Sequence, residues 1–247
     1  MPPNLYESRS KSSNTYFEVI LAVTHFFGFI TILLNGFFFN SFENGLAWPT
    51  KNRECKGKGD MLHGFLMILA FIFFQGEALL CYRVYRYNAK IISKLIHTFL
   101  HGAAIGLGLT SLVVIIINNN IDKEKHFSTV HSWIGVIILL VYNIQFVFGF
   151  LTFLFPCTPG SYRARLIPLH RAVGASCMIL ACIQCTIGHV QRISWHGPDC
   201  YMNLSCPNRL EYVLSFAILT MILYTLLVIG LIVPQNWKRV KTPDELK

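Results

Sequence analysis

Six apolar stretches divide the chain: Phe17–Phe39, Met61–Tyr82, Ile91–Ile117, His131–Phe155, Leu169–Val190 and Tyr212–Val233. A helix needs about 20 residues to cross a hydrocarbon layer of about 30 Å, and each stretch meets that length. Lipid offers no partner to backbone polar groups, so runs of this kind are predicted to be helices. Short polar segments join them. The pattern predicts an all-α membrane protein with six transmembrane helices in one domain over residues 17–233. A polar N-terminal tail over 1–16, expected to be disordered, precedes it, and a C-terminal tail over 234–247 follows. The first run is longer than the apolar part of a signal peptide and lacks a small-residue cleavage site, so no cleaved leader is expected. The closing PDELK ends in Lys and only superficially resembles a retention signal.

Composition supports this. Charged residues make up 13% of the chain and hydrophobic ones 53%, whereas soluble domains carry about 25% charged residues. The net charge of +9 invites a nucleic-acid reading, but its distribution gives a better account. An even number of spans places both termini on one side. That side holds twelve Lys and Arg: Arg9, Lys11, Arg83, Arg86, Lys90, Lys94, Arg163, Arg165, Lys238, Arg239, Lys241 and Lys247. The other side holds eight. The positive-inside rule therefore puts the termini in the cytoplasm, in a plasma membrane or an endomembrane vesicle, with lipid rather than nucleic acid as the partner. Cys55, Cys200 and Cys206 fall on the outer side. Cys200 and Cys206 are candidates for a disulfide in an oxidising compartment, and Cys55 competes for either. The sequon at Asn203 is also outside. Cys81, Cys177, Cys182 and Cys185 lie in spans and read as small packing residues.

Ionisable groups inside a membrane are costly and mark function. His63, His97, His131 and His170 stand near the starts of spans 2, 3, 4 and 5, at spacings of 34, 34 and 39 residues. Adjacent spans are antiparallel, so His63 and His131 lie near the outer surface and His97 and His170 near the inner one. Spans 2 to 5 are predicted to form a four-helix bundle with one histidine pair at each end. Two neutral imidazoles on opposite helices suit the two faces of a haem iron, with each second ring nitrogen bonded elsewhere. Two haem b groups are expected, one near each surface. Interfacial histidines that merely reach water are the plainer alternative.

Lys90 and Arg163 each precede an inner histidine by seven residues, two helical turns on the same face. With Lys94 and Arg83 they are expected to form a cationic rim above the inner pair, suited to a small anionic electron donor. His25, inside span 1, is expected to pack or hydrogen-bond. Glu77 is expected to be offset by Arg83 or Arg86.

The stretches HGFLM at His63, QGEALLCYRVYR, KIISKLIHTFLH, VHSWIG at His131, YNIQFVFGF, FLFPCTPGSYR and RLIPLHRAVG around His170 resemble the cytochrome b561 family of ascorbate-dependent transmembrane electron carriers. The resemblance covers about residues 17–233. It implies His63 with His131 as ligands of the outer haem iron, and His97 with His170 as ligands of the inner one. It implies cytoplasmic ascorbate at Lys90, Lys94, Arg163 and Arg83, a contacting role for His101, and often a homodimer. The expected activity is an oxidoreductase: electrons pass from ascorbate through both haems to monodehydroascorbate or a ferric or cupric complex outside. The outer side departs from the family pattern. Asn119 and Ser128 stand where many members carry a His and a Tyr. Asp122, Glu124, His126, His189, His196 and Asp199 are the nearby replacements, and carboxylates with imidazoles favour metal capture. Among these, Asn119, His126, His189 and His196 are the candidate outer acceptor site. A metal-ion or proton transporter is the rival reading, although carriers usually bind cargo near the midplane.

Overall fold

The computed structural model describes residues 5–41, 45–51, 57–155, 158–196 and 198–239, and every regular element in them is helical. Among the described residues, six helices are long and apolar enough to span a membrane. They are α1 (Leu5–Ser41), α2 (Lys58–Val84), α3 (Lys90–Asp122), α4 (Val130–Leu154), α5 (Gly160–His196) and α6 (Leu210–Ile232). The side bearing the termini is called inner below.

α2 lies along α3, and α4 along α5. α3 also meets α4, and α5 returns to α2, which closes a ring of four helices. α1 runs along α6, and this pair covers the α2–α5 side of the ring. The bundle predicted for spans 2 to 5 is present.

Two ends differ from the hydropathy pattern. α1 begins at Leu5, inside the polar tail, while its apolar part is Thr15–Ser41. α5 begins at Gly160, nine residues before Leu169. The segment GSYRARLIP is too polar to register as a span, yet it continues the same helix beyond the apolar layer. Pro168 is accommodated inside it, as membrane helices tolerate when neighbours satisfy the freed carbonyl. Arg163 and His170 therefore sit on one rigid helix.

Local chemistry sets the other ends. α4 starts at a capping box. The Thr129 hydroxyl accepts from the Ser132 amide at 3.2 Å, and the Thr129 amide donates to the Ser132 hydroxyl at 3.1 Å. This places His131 in the first turn. α2 contains a π-helical segment, Leu69–Phe74, and α4 ends in another, Phe150–Leu154. Each inserts about one residue relative to a regular helix. On the outer side, Cys200 and Cys206 form a disulfide between α5 and α6. Cys81, Cys177, Cys182 and Cys185 are free, and Cys55 lies outside the described residues.

Candidate metal-ligand sites on four helices

Each of the four histidines engages its Nδ1 with a neighbouring helix. His63 Nδ1 donates to the Ser111 carbonyl at 3.1 Å, while the Ser111 hydroxyl donates to the His63 carbonyl at 2.9 Å. His97 Nδ1 donates to the Ala78 carbonyl at 2.8 Å. On the other two helices the partner is a glutamine amide. Gln184 meets His131 Nδ1 at 2.9 Å and donates to its carbonyl at 2.5 Å. Gln145 meets His170 Nδ1 at 2.7 Å and donates to its carbonyl at 2.7 Å.

These bonds are reciprocal between helices. α2 carries His63 and bonds His97, and α3 carries His97 and bonds His63. α4 and α5 do the same. The bonding residue follows its own helix's histidine by 14 positions in α3, α4 and α5, and by 15 in α2. The extra residue in α2 coincides with its π segment, which restores the register. Fourteen residues rise about 21 Å, so the outer and inner histidine levels are separated by roughly that length.

The arrangement fits a metal held between paired imidazoles. Two metal–nitrogen bonds of about 2 Å, with the distances from nitrogen to ring centre, come to about 6 Å. The His97 and His170 ring centres are 6.2 Å apart. A ring that binds through Nε2 must carry its proton on Nδ1. The Ser111 and Ala78 carbonyls accept that proton directly. At His131 and His170 a glutamine amide stands beside Nδ1, and it presents its oxygen to that proton only by turning and giving up its bond to the histidine carbonyl. At Gln184 this turn also provides a partner for Oε1, which is otherwise buried without one. Glycines leave the rings their room: a Cβ on Gly149 would stand 2.8 Å from His170 Cε1, and one on Gly188 would stand 2.9 Å from His131 Cε1.

At the outer level, His63 and His131 line one cavity, which also reaches Asn119, His126 and His189. His126 is exposed and its Nε2 meets the Asn120 side-chain oxygen at 2.9 Å. His189 is not a surface group. It is 3% exposed, with Nδ1 at 2.9 Å from the Cys185 carbonyl and Nε2 at 2.9 Å from the Asn35 side-chain oxygen. The His196 side chain lies outside the described residues. No three His, Cys, Asp or Glu side chains converge on a metal site among the described residues. Arg192 pairs with Asp60 at 2.8 Å on the cavity wall.

At the inner level, Lys90 and Arg163 are close enough for their charges to act on Lys94. Lys94 donates to the Phe153 carbonyl at 2.6 Å. The Phe153 ring in turn lies 5.0 Å from His170, so the rim and the inner ligand share a wall. His101 lies 4.4 Å from His97, ring to ring, and its Nδ1 receives the Tyr142 hydroxyl at 2.5 Å.

Arg83 takes a different place from the rim expected of it. It is 4% exposed and donates to the Ile232 and Pro234 carbonyls, at 2.5 and 3.0 Å. Helix ends leave carbonyls without partners, and Arg83 caps those of α6. Arg83→Ala is expected to lower stability by about 2–3 kcal/mol, from the loss of charge-assisted bonds, while leaving the ascorbate concentration dependence of reduction unchanged. Thermal unfolding in detergent and steady-state reduction measure the two effects separately.

Glu77 likewise has other partners than Arg83 or Arg86. His25 Nδ1 lies 3.1 Å from its carboxylate, and the Tyr224 hydroxyl donates to the same oxygen at 3.0 Å. The hydrogen bond expected of His25 is present.

Gln145 and Gln184 were not among the expected site residues. A repeat in the sequence contains them: His-x3-Gly-x9-Gln-x3-Gly occurs at His131, Gly135, Gln145 and Gly149, and again at His170, Gly174, Gln184 and Gly188. Compared at an offset of 39 residues, α4 and α5 repeat one pattern in antiparallel helices.

The model of eukaryotic cytochrome b561 matches residues 62–196, which include all four histidines. A Caenorhabditis elegans protein named as a CYB561 homologue is 30% identical over 98% of this chain and 92% of its own. The transmembrane ascorbate-dependent reductase CYB561 of Mus musculus is 26% identical over 97% of this chain and 92% of its own. The transmembrane ascorbate ferrireductase 1 of Arabidopsis thaliana is 31% identical over 63% of each chain. With the family pattern matched across more than half its length, and a relative aligned almost end to end, the chain belongs to the cytochrome b561 family.

Proposed function

We propose that the protein is a transmembrane ascorbate-dependent reductase. It takes electrons from cytoplasmic ascorbate and delivers them, by way of two b-type haems, to a ferric or cupric complex on the other side. The observation that carries this reading is the two-level set of four histidines, each with Nδ1 held by the neighbouring helix. Relatives named as ascorbate-dependent reductases and as an ascorbate ferrireductase support it. Haem bound between each histidine pair supplies a one-electron iron couple inside the membrane.

The protein's own residues do the rest. His97 and His170 hold the inner group, and His63 and His131 the outer one. Gly149 and Gly188 leave room for the ligand rings. Lys90, Lys94 and Arg163 draw the ascorbate anion to the inner rim. The cytoplasmic orientation rests on the charge count and on the disulfide. Cys200–Cys206 lies on the side opposite the termini, where an oxidising compartment is required.

The outer cavity supports an acceptor that carries its own ligands. Without three converging donors among the described residues, a bare metal ion has little to hold it there. A complex that brings its own ligands needs only a shaped mouth with polar contacts, and Glu124, Lys125, His126 and Ser128 provide one. His126→Ala is expected to slow reduction of a ferric chelate severalfold and to leave ascorbate reduction of the protein unchanged. Equal chelate rates in the two proteins would remove this cavity mouth from the acceptor site.

The inner rim has its own test. Lys90→Ala combined with Lys94→Ala is expected to slow reduction by ascorbate by about tenfold or more, the size of one lost charge-assisted bond. Dithionite should still reduce the protein fully. Stopped-flow absorbance with each reductant decides the matter, and equal slowing with both reductants would place the lysines in the fold rather than in donor binding.

A further inference from the structure

The two histidine levels share an asymmetry. Each pair has one ring bonded to a backbone carbonyl and one bonded to a glutamine amide. His63 and His97 use the Ser111 and Ala78 carbonyls. His131 and His170 use Gln184 and Gln145. A carbonyl is a fixed acceptor that no side-chain change can alter. At the inner level the glutamine is the one of the two partners that a side-chain change alters; at the outer level Gln184 shares that property with the Ser111 hydroxyl, 2.9 Å from His63 Nδ1. Each glutamine also acts across helices: Gln145 rides on the helix of the outer ligand His131 but holds the inner ligand His170, and Gln184 does the reverse.

We propose that Gln145 and Gln184 are positioning residues that set the donor strength of the opposite helix's histidine, and so the reduction potential of the inner and outer haem respectively. Three observations support it. Each amide lies within 2.7 or 2.9 Å of its histidine's Nδ1, the nitrogen whose proton governs the ring's donor strength. Gly135 allows the close approach, since a Cβ there would stand 2.9 Å from Gln184 Nε2. Each glutamine precedes by four residues the glycine that clears the same ring: Gln145 with Gly149 at His170, and Gln184 with Gly188 at His131. One helix turn thus carries both the hydrogen bond to the ring and the space beside it.

The chemical consequence has a sign. An acceptor on Nδ1–H draws that proton outward and makes the ring a stronger donor through Nε2. A stronger donor stabilises ferric over ferrous iron and lowers the potential. Loss of the acceptor raises the potential, and a stronger acceptor lowers it. Gln145→Leu is therefore expected to raise the inner haem's potential and Gln145→Glu to lower it. Gln184→Leu and Gln184→Glu should do the same to the outer haem.

The inference rests on the proposed haem ligation, and the experiment separates the two. Haem per chain is measured first on the natural protein. An absence of haem there overturns the ligation itself. With haem present, redox titration of the purified protein resolves two waves, assigned with the His170→Ala and His131→Ala proteins. The expected result is at least a tenfold change in the oxidised-to-reduced ratio at fixed potential, equal to 59 mV for a one-electron couple. It should be confined to the crossed haem and opposite in sign for Leu and Glu. Loss of the crossed haem alone also supports the proposal. It is overturned by unmoved waves, by shifts of the same sign in both variants, by movement of the same-helix haem, or by loss of both haems together.

Discussion

His170→Ala protein is expected to purify with one haem per chain, against two for the natural protein, and to lose its reduction by ascorbate. The His170 ring is placed by several independent contacts. Gln145 holds its Nδ1 and its carbonyl, Phe153 packs 5.0 Å away, and His97 faces it with ring centres 6.2 Å apart. Removing it would leave His97 without the imidazole that faces it from the opposite helix. His101 is the nearest imidazole to His97, but it projects from the same helix and not from the one opposite. His97→Ala should act the same way. His63→Ala and His131→Ala should each remove the outer haem and leave the inner one reducible by ascorbate. Haem content against chain concentration, with spectra under ascorbate and dithionite, separates the two classes. Full haem content and natural spectra in all four proteins would remove these histidines as ligands.

The second large effect is steric. A single added methyl group at Gly149 should reduce inner haem occupancy, and one at Gly188 should reduce outer haem occupancy. Ordinary contact begins at about 3.4 Å, whereas the new Cβ would stand 2.8 Å from His170 Cε1 and 2.9 Å from His131 Cε1. The contacted atom is part of a rigid ring already bonded on its Nδ1 side. The ring can yield only by giving up the glutamine or by turning away from the imidazole it is paired with. Overpacking of this kind costs about 1–3 kcal/mol. Gly106 is the internal control, because a Cβ there meets nothing within 4 Å. Gly106→Ala should retain both haems and gain slightly in stability, since alanine favours a helix over glycine. Equal occupancy in all three proteins would show that the glycines at 149 and 188 do not serve the ligand rings.

Much of this architecture was legible before any coordinates. Hydropathy locates spans because each helix must satisfy lipid by itself, whatever its neighbours. The four histidines stand out because an ionisable group in an apolar run is expensive, and antiparallel alternation alone pairs His63 with His131 and His97 with His170. The boundary of α5 was less legible. Residues 160–168 are helical but polar, and hydropathy registers the apolar layer rather than the helix. Gln145 and Gln184 were readable in principle as a 39-residue repeat, but an isolated glutamine in a membrane span shows neither its partner nor its purpose.

Arg83, Glu77 and His189 mark the limit of reading along the chain. Arg83 and Glu77 were placed by proximity in sequence or by sign of charge, and His189 by its position toward the outer side. Arg83 instead caps the end of α6, about 150 positions away in the chain, at Ile232 and Pro234. Glu77 is held by α1 and α6 through His25 and Tyr224. His189, grouped with the outer acceptor residues, is buried against α1 through Asn35. The sequence by itself determined the spans, the two histidine levels and the cationic inner face, because these follow from the cost of polar groups in lipid and from helix periodicity. Tertiary structure alone decided which partner each polar group took. A hydrogen bond requires an approach of about 3 Å, and the packing of α1 and α6 against the four-helix ring sets which groups come that close.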